Sequence, residues 1–227
     1  MERSGLPTRP SLRVGSTEMA TCLQETDAAI EQAAAFIRAG RVIVCPTDTL
    51  YGLGADATND VAVARLFAIK GRAETKPILV LVRDLEEAMR CGQINGAARA
   101  LAAKFWPGPL TLVVERTADS PLSRALNPTG TTIGLRVPAR AATLALIKAA
   151  DRPLTAPSAN RSGEAPALSA AEALAALGPE IAMALDGGPS APSASTIVEV
   201  LGNRLRLIRE GAIPRASLLE AGMPVET

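Results

Sequence analysis

The chain has 227 residues, of which 48% are hydrophobic and 21% are charged, and its 24 lysines and arginines nearly balance its 23 aspartates and glutamates. This composition is typical of a globular protein, and the net charge of +1 argues against a protein whose main role is bulk electrostatic binding of nucleic acid. The chain contains no histidine, which excludes a Ser-His-Asp triad, a histidine general base and an HExxH zinc site.

Cysteine usage and hydropathy favour a cytoplasmic protein without a membrane segment. The three cysteines show no CxxC spacing, which fits a reducing compartment and indicates neither a zinc ribbon nor a disulfide framework. No apolar run reaches about 18 residues, and no signal-peptide core is present. Aromatic residues make up 2% of the chain, so serial stacking of nucleic-acid bases is not indicated.

Residues 1–20 lack an apolar period and are predicted to form a flexible tail. Residues 21–227 are predicted to form one domain, because no internal repeat and no linker divides them. Helices are predicted from Thr26 or Asp27 to Gly40, from Asn59 or Asp60, over 84–104 with a break near 91–92, over 139–150, over 169–177 and from Pro214. Strands are predicted over 41–45, 78–82, 110–115, 132–137, 153–156 and 181–185, with a hairpin over 195–210 that turns at Gly202–Asn203.

The alternation of helices with fully apolar strands predicts an α/β fold. The C-terminal hairpin adds antiparallel pairing, so we expect a twisted, mostly buried mixed sheet with flanking helices. Five segments in this pattern carry residues that a fold alone does not require.

Two of these segments follow predicted elements near the start of the chain. Residues 46–57, PTDTLYGLGADA, come after a strand and contain glycines that permit close backbone approach. They form either a ligand-binding loop at the carboxyl end of a strand or an ordinary turn. Lys70 and Arg72 stand at the end of a helix, where two cations either offset the helix dipole or bind phosphate.

The other three segments lie further along. In FWPGPLT, Trp106 is interpreted as a packing anchor, and Thr111 on the following strand could present its hydroxyl to a ligand. Arg136 interrupts an apolar strand, where it needs an anion, either an internal carboxylate or the carboxylate of a ligand. Residues 156–163, APSANRSG, supply the donors of a nucleotide site or form an Asx/Ser turn. Neither a GxxxxGK[ST] nor a GxGxxG pattern is present.

The ordered segments PTDTLYGLGADA, KGR, FWPGPLTLV, GLRVP, APSANRSG, STIVEV and LRLIREGAI closely resemble the YrdC/Sua5 family of threonylcarbamoyl-AMP synthases over about residues 27–213. The resemblance implies a YrdC-like catalytic domain with an open cationic cavity. It implies that ATP, L-threonine and bicarbonate or CO₂ are converted to threonylcarbamoyl-AMP and pyrophosphate, with Mg²⁺ bound mainly through the phosphates of ATP. The product would pass to a threonylcarbamoyl transferase complex for the t6A37 modification of tRNA.

The resemblance also implies which residues form the site. The catalytic set is Lys70, Arg72, Ser158 and Asn160. The threonine-binding set is Thr47, Arg136 and Ser195. The ATP-binding set is Lys70, Arg72, Thr111, Ser158, Asn160 and Arg209, and no protein ligand to a metal is expected.

Two departures from the family pattern are visible. Leu81 stands where some members carry a histidine near the threonine. The chain ends at Thr227, so it resembles the single-domain branch, and site closure by the linker of the longer branch is not implied. Two other functions stay open: an RNA-binding module of the same fold, with weak RNA binding, and an enzyme that forms carbamoyl adenylate, whose larger relatives carry acylphosphatase and zinc modules.

Overall fold

The computed structural model describes residues 20–71, 73, 76–191, 193–220 and 224–226. The predicted tail therefore lies outside the described residues, except for Ala20, and so does Arg72. The helices are α1 (Asp27–Arg38), α2 (Asp60–Lys70), α3 (Leu85–Cys91), α4 (Gly96–Phe105), α5 (Ala141–Ala150), α6 (Ala170–Leu177) and α7 (Arg215–Leu219). The strands are β1 (Thr21–Gln24), β2 (Ile43–Cys45), β3 (Gly52–Gly54), β4 (Val80–Leu81), β5 (Leu110–Glu115), β6 (Thr132–Arg136), β7 (Leu154–Thr155), β8 (Met183–Asp186), β9 (Thr196–Leu201), β10 (Arg204–Arg209) and β11 (Val225–Glu226).

The strands form two mixed sheets. One has the order β1-β8-β2-β3, and the other has the order β11-β10-β9-β5-β6-β4-β7. In the larger sheet, β5 runs parallel to β9 on one side and antiparallel to β6 on the other. Helices α1 and α5 pack together with strands of both sheets in one of the two hydrophobic clusters. The predicted mixed α/β class is confirmed.

Helix starts follow local capping chemistry. The hydroxyl of Thr26 accepts a hydrogen bond from the backbone N–H of Ala29, and the side chain of Asn59 caps α2 in the same way. These bonds satisfy N–H groups that have no partner within the first turn of a helix. Both predicted starts are therefore confirmed, as is the hairpin that turns between Leu201 and Arg204.

Short strands were harder to predict. The Gly52–Gly54 strand lies within the segment that we expected to be a loop, and it pairs with β2 from Ile43 to Cys45. Two further short strands, β1 and β11, also had no periodic signal. The predicted strand over 78–82 shortens to Val80–Leu81, because only these residues pair with the two-residue strand β7.

Two loops are joined by backbone hydrogen bonds. The N–H of Leu53 donates to the carbonyl of Pro157 at 2.9 Å, and the N–H of Ala159 donates to the carbonyl of Tyr51 at 2.8 Å. The hydroxyl of Thr155 adds a bond to the carbonyl of Leu53 at 2.8 Å. The segment after β7 is thereby fixed beside the segment around β3. No helix in the described part of the chain is long and apolar enough to cross a lipid bilayer.

The burial of two cysteines yields a chemical test of this core. Burial raises the pKa of the Cys45 thiol to about 12 and that of the Cys91 thiol to about 12. Partial burial and the charge of Asp186 also raise the pKa of the Cys22 thiol, but Cys22 is exposed to solvent. Because their pKa is far above about pH 8, the two buried thiols stay protonated there. They react slowly, since the thiolate is the reactive form. We expect an alkylating reagent to modify Cys22 first in the native protein, and all three cysteines only after denaturation, as measured by mass spectrometry. Rapid labelling of a native Cys22→Ser variant would contradict this burial.

Candidate functional site

A cavity of about 560 Å³ lies against the larger sheet, a volume within the usual range of small-molecule sites. It is lined by residues of β5, β6, β9 and β10 and by the loops that follow β2 and β7. The charged lining residues are Arg136, Arg206, Arg209 and Glu199. Positive charges thus outnumber negative ones among the described residues of the lining.

The structure brings together most of the residues expected at the site. The expected residues that line the cavity are Thr47, Thr111, Arg136, Ser158, Ser195 and Arg209. Lys70 and Asn160 do not line it, and Arg72 lies outside the described residues. Among the described residues, the expected set therefore divides into six that line the cavity and two, Lys70 and Asn160, that do not.

Arg136 is the most buried cation of the lining, with 3% of its surface exposed. Its Nε donates to the carbonyl of Gly108 at 2.9 Å, and its Nη1 donates to the hydroxyl of Thr49 at 2.8 Å. Its Nη2 lies 2.6 Å from Oδ1 of Asp48, so the internal carboxylate that we considered as its partner is present. Burial lowers the pKa of Arg136, and the charge of Asp48 opposes that effect.

The hydroxyls of Thr49 and Thr47 extend this network. Thr47 donates to the carbonyl of Leu50 at 2.7 Å and accepts the backbone N–H of Thr49 at 3.0 Å, and the two hydroxyl oxygens lie 3.0 Å apart. Because Arg136 can only donate and the proton of Thr47 is already used, the hydroxyl of Thr49 donates to that of Thr47. The Thr47 hydroxyl is therefore fully engaged within the loop, whereas Thr49 keeps one acceptor position.

A second polar group lies on the β5–β9 side of the cavity. The hydroxyls of Thr111 and Ser195 are 3.0 Å apart, and Arg209 donates to the carbonyl of Ser195 at 2.8 Å and to its hydroxyl at 3.2 Å. The pKa of Arg209 is lowered by burial of its guanidinium and by the like charge of Arg136. The two guanidiniums thus act on each other across one space, an arrangement that favours an anionic ligand.

Lys70 is not an exposed cation at a helix end, because only 2% of its surface is exposed. Its Nζ donates to the carbonyls of Ser158 and Asn160 at 2.6 and 2.7 Å, and lies 3.3 Å from Oδ1 of Asn160. The amide nitrogen of Asn160 donates in turn to the carbonyls of Arg161 and Glu164. Lys70 and Asn160 therefore hold the loop that presents Ser158 to the cavity.

Several lining residues were not expected from the sequence. Thr49 belongs to the PTDT segment, which is a candidate ligand-binding loop, but Thr49 itself is not among the expected site residues. Glu199 and Arg206 form an ion pair directly across β9 and β10, and the amide of Asn127 donates to the carbonyl of Thr132 at 3.1 Å. The sequence contains a signal for this ion pair: Glu199 and Arg206 stand at matching positions before and after the predicted turn, so they are expected to lie opposite each other.

Two further expectations can be checked. Trp106 packs against the core, and its indole N–H donates to the carbonyl of Leu110 at 2.7 Å, so its interpretation as a packing anchor is confirmed. Leu81 is the strand partner of Arg136, but its side chain is buried in the cluster that contains α1 and α5 and does not line the cavity. The neighbouring residues Ile78 and Leu79 line it instead.

The burial of Lys70 predicts a stability effect. A Lys70→Met variant keeps a long side chain but removes the donor, so two buried carbonyls lose their hydrogen bonds. We expect the free energy of unfolding to fall by about 1–3 kcal/mol, as measured by urea denaturation. Lys148→Met, at an exposed position of α5, is the matched control and should have little effect. Equal stability of the two variants would show that the bonds of Lys70 do not support the fold.

Comparison with known proteins places this arrangement in a family. Residues 35–211 match the Sua5/YciO/YrdC family model, which is described as telomere recombination. The chain is 38% identical over 194 residues to a putative threonylcarbamoyl-AMP synthase of Mycobacterium tuberculosis, an alignment that covers 84% of this chain and 88% of that protein. It is 36% identical over 187 residues to the threonylcarbamoyl-AMP synthase of Pyrococcus abyssi, which covers 82% of this chain and 54% of the relative. This chain thus spans about half the length of the archaeal protein.

A solved structure agrees with the sequence matches. The crystal structure of P. abyssi Sua5 complexed with L-threonine aligns with a TM-score of 0.86 at 32% identity, over 92% of this chain and 63% of that chain. The family model spans most of the chain, and the mycobacterial relative is matched over most of its own length. The chain belongs to the Sua5/YciO/YrdC family.

Proposed function

We propose that this chain is a nucleotidyltransferase that makes L-threonylcarbamoyl-AMP and pyrophosphate from ATP, L-threonine and bicarbonate or CO₂. The observation that carries the proposal is the cavity in which Thr111, Arg136, Ser158, Ser195 and Arg209 come together. The names of relatives from several organisms and the threonine complex of a related structure support this choice of reaction. Residues 21–227 act as one catalytic domain in this proposal.

Threonine binds at the Arg136 end of the cavity. Arg136 lines the cavity, and guanidinium–carboxylate pairs are strong when they are bidentate. Ser195 and Thr49 offer hydroxyls to the amine or hydroxyl of threonine, since both retain hydrogen-bonding capacity. Thr47 contributes by fixing the loop, because its own hydroxyl is engaged there.

The nucleotide binds across Thr111, Ser158 and Arg209. Arg209 balances phosphate charge, and Arg72 is assigned the same task from the family resemblance. Lys70 and Asn160 support ATP binding by holding the Ser158 loop from behind. Mg²⁺ binds mainly through the phosphates of ATP and through water oxygens, which it prefers, and no protein ligand is assigned to it.

The chemistry then needs positioning more than a protein nucleophile. The amine of threonine adds to CO₂ and loses a proton, which gives a carbamate. A carbamate oxygen attacks the α-phosphorus of ATP, the bond to the β-phosphate oxygen breaks, and pyrophosphate leaves. The chain's part is to align the two reactants and to offset negative charge with Arg136 and Arg209, which are the main sources of rate in reactions of this kind.

The partners follow from the product. Threonylcarbamoyl-AMP is an activated acyl donor, so in this proposal it is passed to a threonylcarbamoyl transferase complex that modifies tRNA to t6A. The three cysteines are free thiols, which suits the reducing cytosol as the site of the reaction. Direct RNA binding is kept as the competing role of the same cationic cavity.

The test of the proposed function is pyrophosphate release with each substrate omitted in turn. We expect release only when ATP, threonine and bicarbonate are all present. Turnover with ATP and bicarbonate alone would favour carbamoyl-adenylate formation. Salt-dependent RNA affinity without any pyrophosphate release would favour the RNA-binding role.

Arg136→Lys separates the two substrates. A lysine ammonium cannot reproduce the planar, two-pronged donor of arginine, so the KM for threonine should rise by about 10- to 150-fold, the equivalent of one charge-assisted hydrogen bond. The KM for ATP should change little. Steady-state kinetics with each substrate varied in turn measure both constants. If both KM values rise equally, or if the variant does not fold, Arg136 is a structural member of an ion pair.

A further inference from the structure

The ion pair of Arg136 has a feature that ligand binding alone does not require. Oδ1 of Asp48 lies 2.6 Å from Nη2 of Arg136. Asp48 is absent from the described lining of the cavity, although its neighbours Thr47 and Thr49 and its partner Arg136 all belong to that lining. The carboxylate therefore contacts the guanidinium without itself lining the cavity.

Burial makes this carboxylate important to the cation. Arg136 is almost completely buried, and its other two partners, the carbonyl of Gly108 and the hydroxyl of Thr49, carry no charge. Within the described ranges, Asp48 is the carboxylate in ion-pair contact with Arg136. A buried guanidinium without a counter-charge is costly, so Asp48 is what allows the cation to stay in place while no ligand is bound.

The three partners also fix the plane of the guanidinium. Each of them holds a different nitrogen: Nε is bonded to Gly108, Nη1 to Thr49, and Nη2 is paired with Asp48. The contact with Asp48 is a close ion pair, and both of its atoms, Oδ1 of Asp48 and Nη2 of Arg136, are buried. The charge of Asp48 therefore restrains the third nitrogen of the group.

We infer that Asp48 is a positioning residue for the substrate carboxylate: it keeps the Arg136 guanidinium in place and oriented in the empty site, and does not touch the substrate itself. The inference rests on the proposed function, in which Arg136 binds the carboxylate of threonine. A receptor that is oriented before binding loses less entropy when the ligand arrives. Asp48 thereby strengthens threonine binding through Arg136.

Asp48→Asn tests this role, because it keeps the shape of the side chain and removes its charge. We expect the Kd for L-threonine, measured by calorimetry with the full chain, to rise by about 5- to 50-fold, while the KM for ATP stays unchanged. Glu25→Gln is the matched control, since Glu25 pairs with Arg140 at the same 2.6 Å and neither residue lines the cavity. It should leave the Kd for threonine unchanged, even if the two variants lose similar stability.

A double-mutant cycle with Arg136→Lys distinguishes action through Arg136 from an independent effect. We expect Asp48→Asn to have little further effect on threonine binding once Arg136 has been replaced. Equal losses in both backgrounds would overturn the inference, because Asp48 would then act independently of Arg136. Unchanged or tighter threonine binding by Asp48→Asn alone would also overturn it. If the unaltered protein binds no threonine, the proposed function fails as well, and this result differs from all the others.

Discussion

A buried guanidinium on β6 is the constraint around which the cavity is organised. Arg136 takes its partners from two separate parts of the chain, the turn that contains Gly108 and the loop that contains Asp48 and Thr49. Leaving a buried cation without its partners costs several kcal/mol of stability. Movement of either loop away from Arg136 would therefore leave the guanidinium unpaired or expose it to solvent. The shape of the cavity is therefore coupled to folding of the sheet itself.

The parts of the fold that local chemistry determines could be predicted from the sequence. The hydroxyl of Thr26 and the amide of Asn59 cap their helices through bonds to residues two or three positions away, and Gly202–Asn203 turns the hairpin within itself. By contrast, β1 pairs with β8, more than 150 residues later, and has no pattern of its own. Pairing between distant, very short strands depends on the assembled core and cannot be predicted from one segment.

The same distinction applies to the site. The local pattern predicted a strand for Thr111 and another for Arg136, and only the family resemblance assigned the two residues to one site. The burial of Lys70 could not be predicted, because its acceptors are separated from it by as many as 90 residues. A lysine at a helix end has the same local sequence whether it binds phosphate or backbone carbonyls. The choice of Asp48 as the partner of Arg136 likewise depends on how a loop folds over a strand 88 residues away.

The backbone pairing between residues 51–53 and 157–159 determines how one side of the cavity is built. Since Leu53 bonds to Pro157 and Ala159 bonds to Tyr51, the loops that carry Thr49 and Ser158 form one continuous wall of the cavity. On the opposite side, Ile208 lies exposed on the last antiparallel hairpin, and its neighbour Arg209 directs its guanidinium to the carbonyl and hydroxyl of Ser195. The two sides of the cavity are therefore built differently: backbone hydrogen bonds join the loops on one side, whereas on the other side the hairpin is joined to the Ser195 segment through the side chain of Arg209.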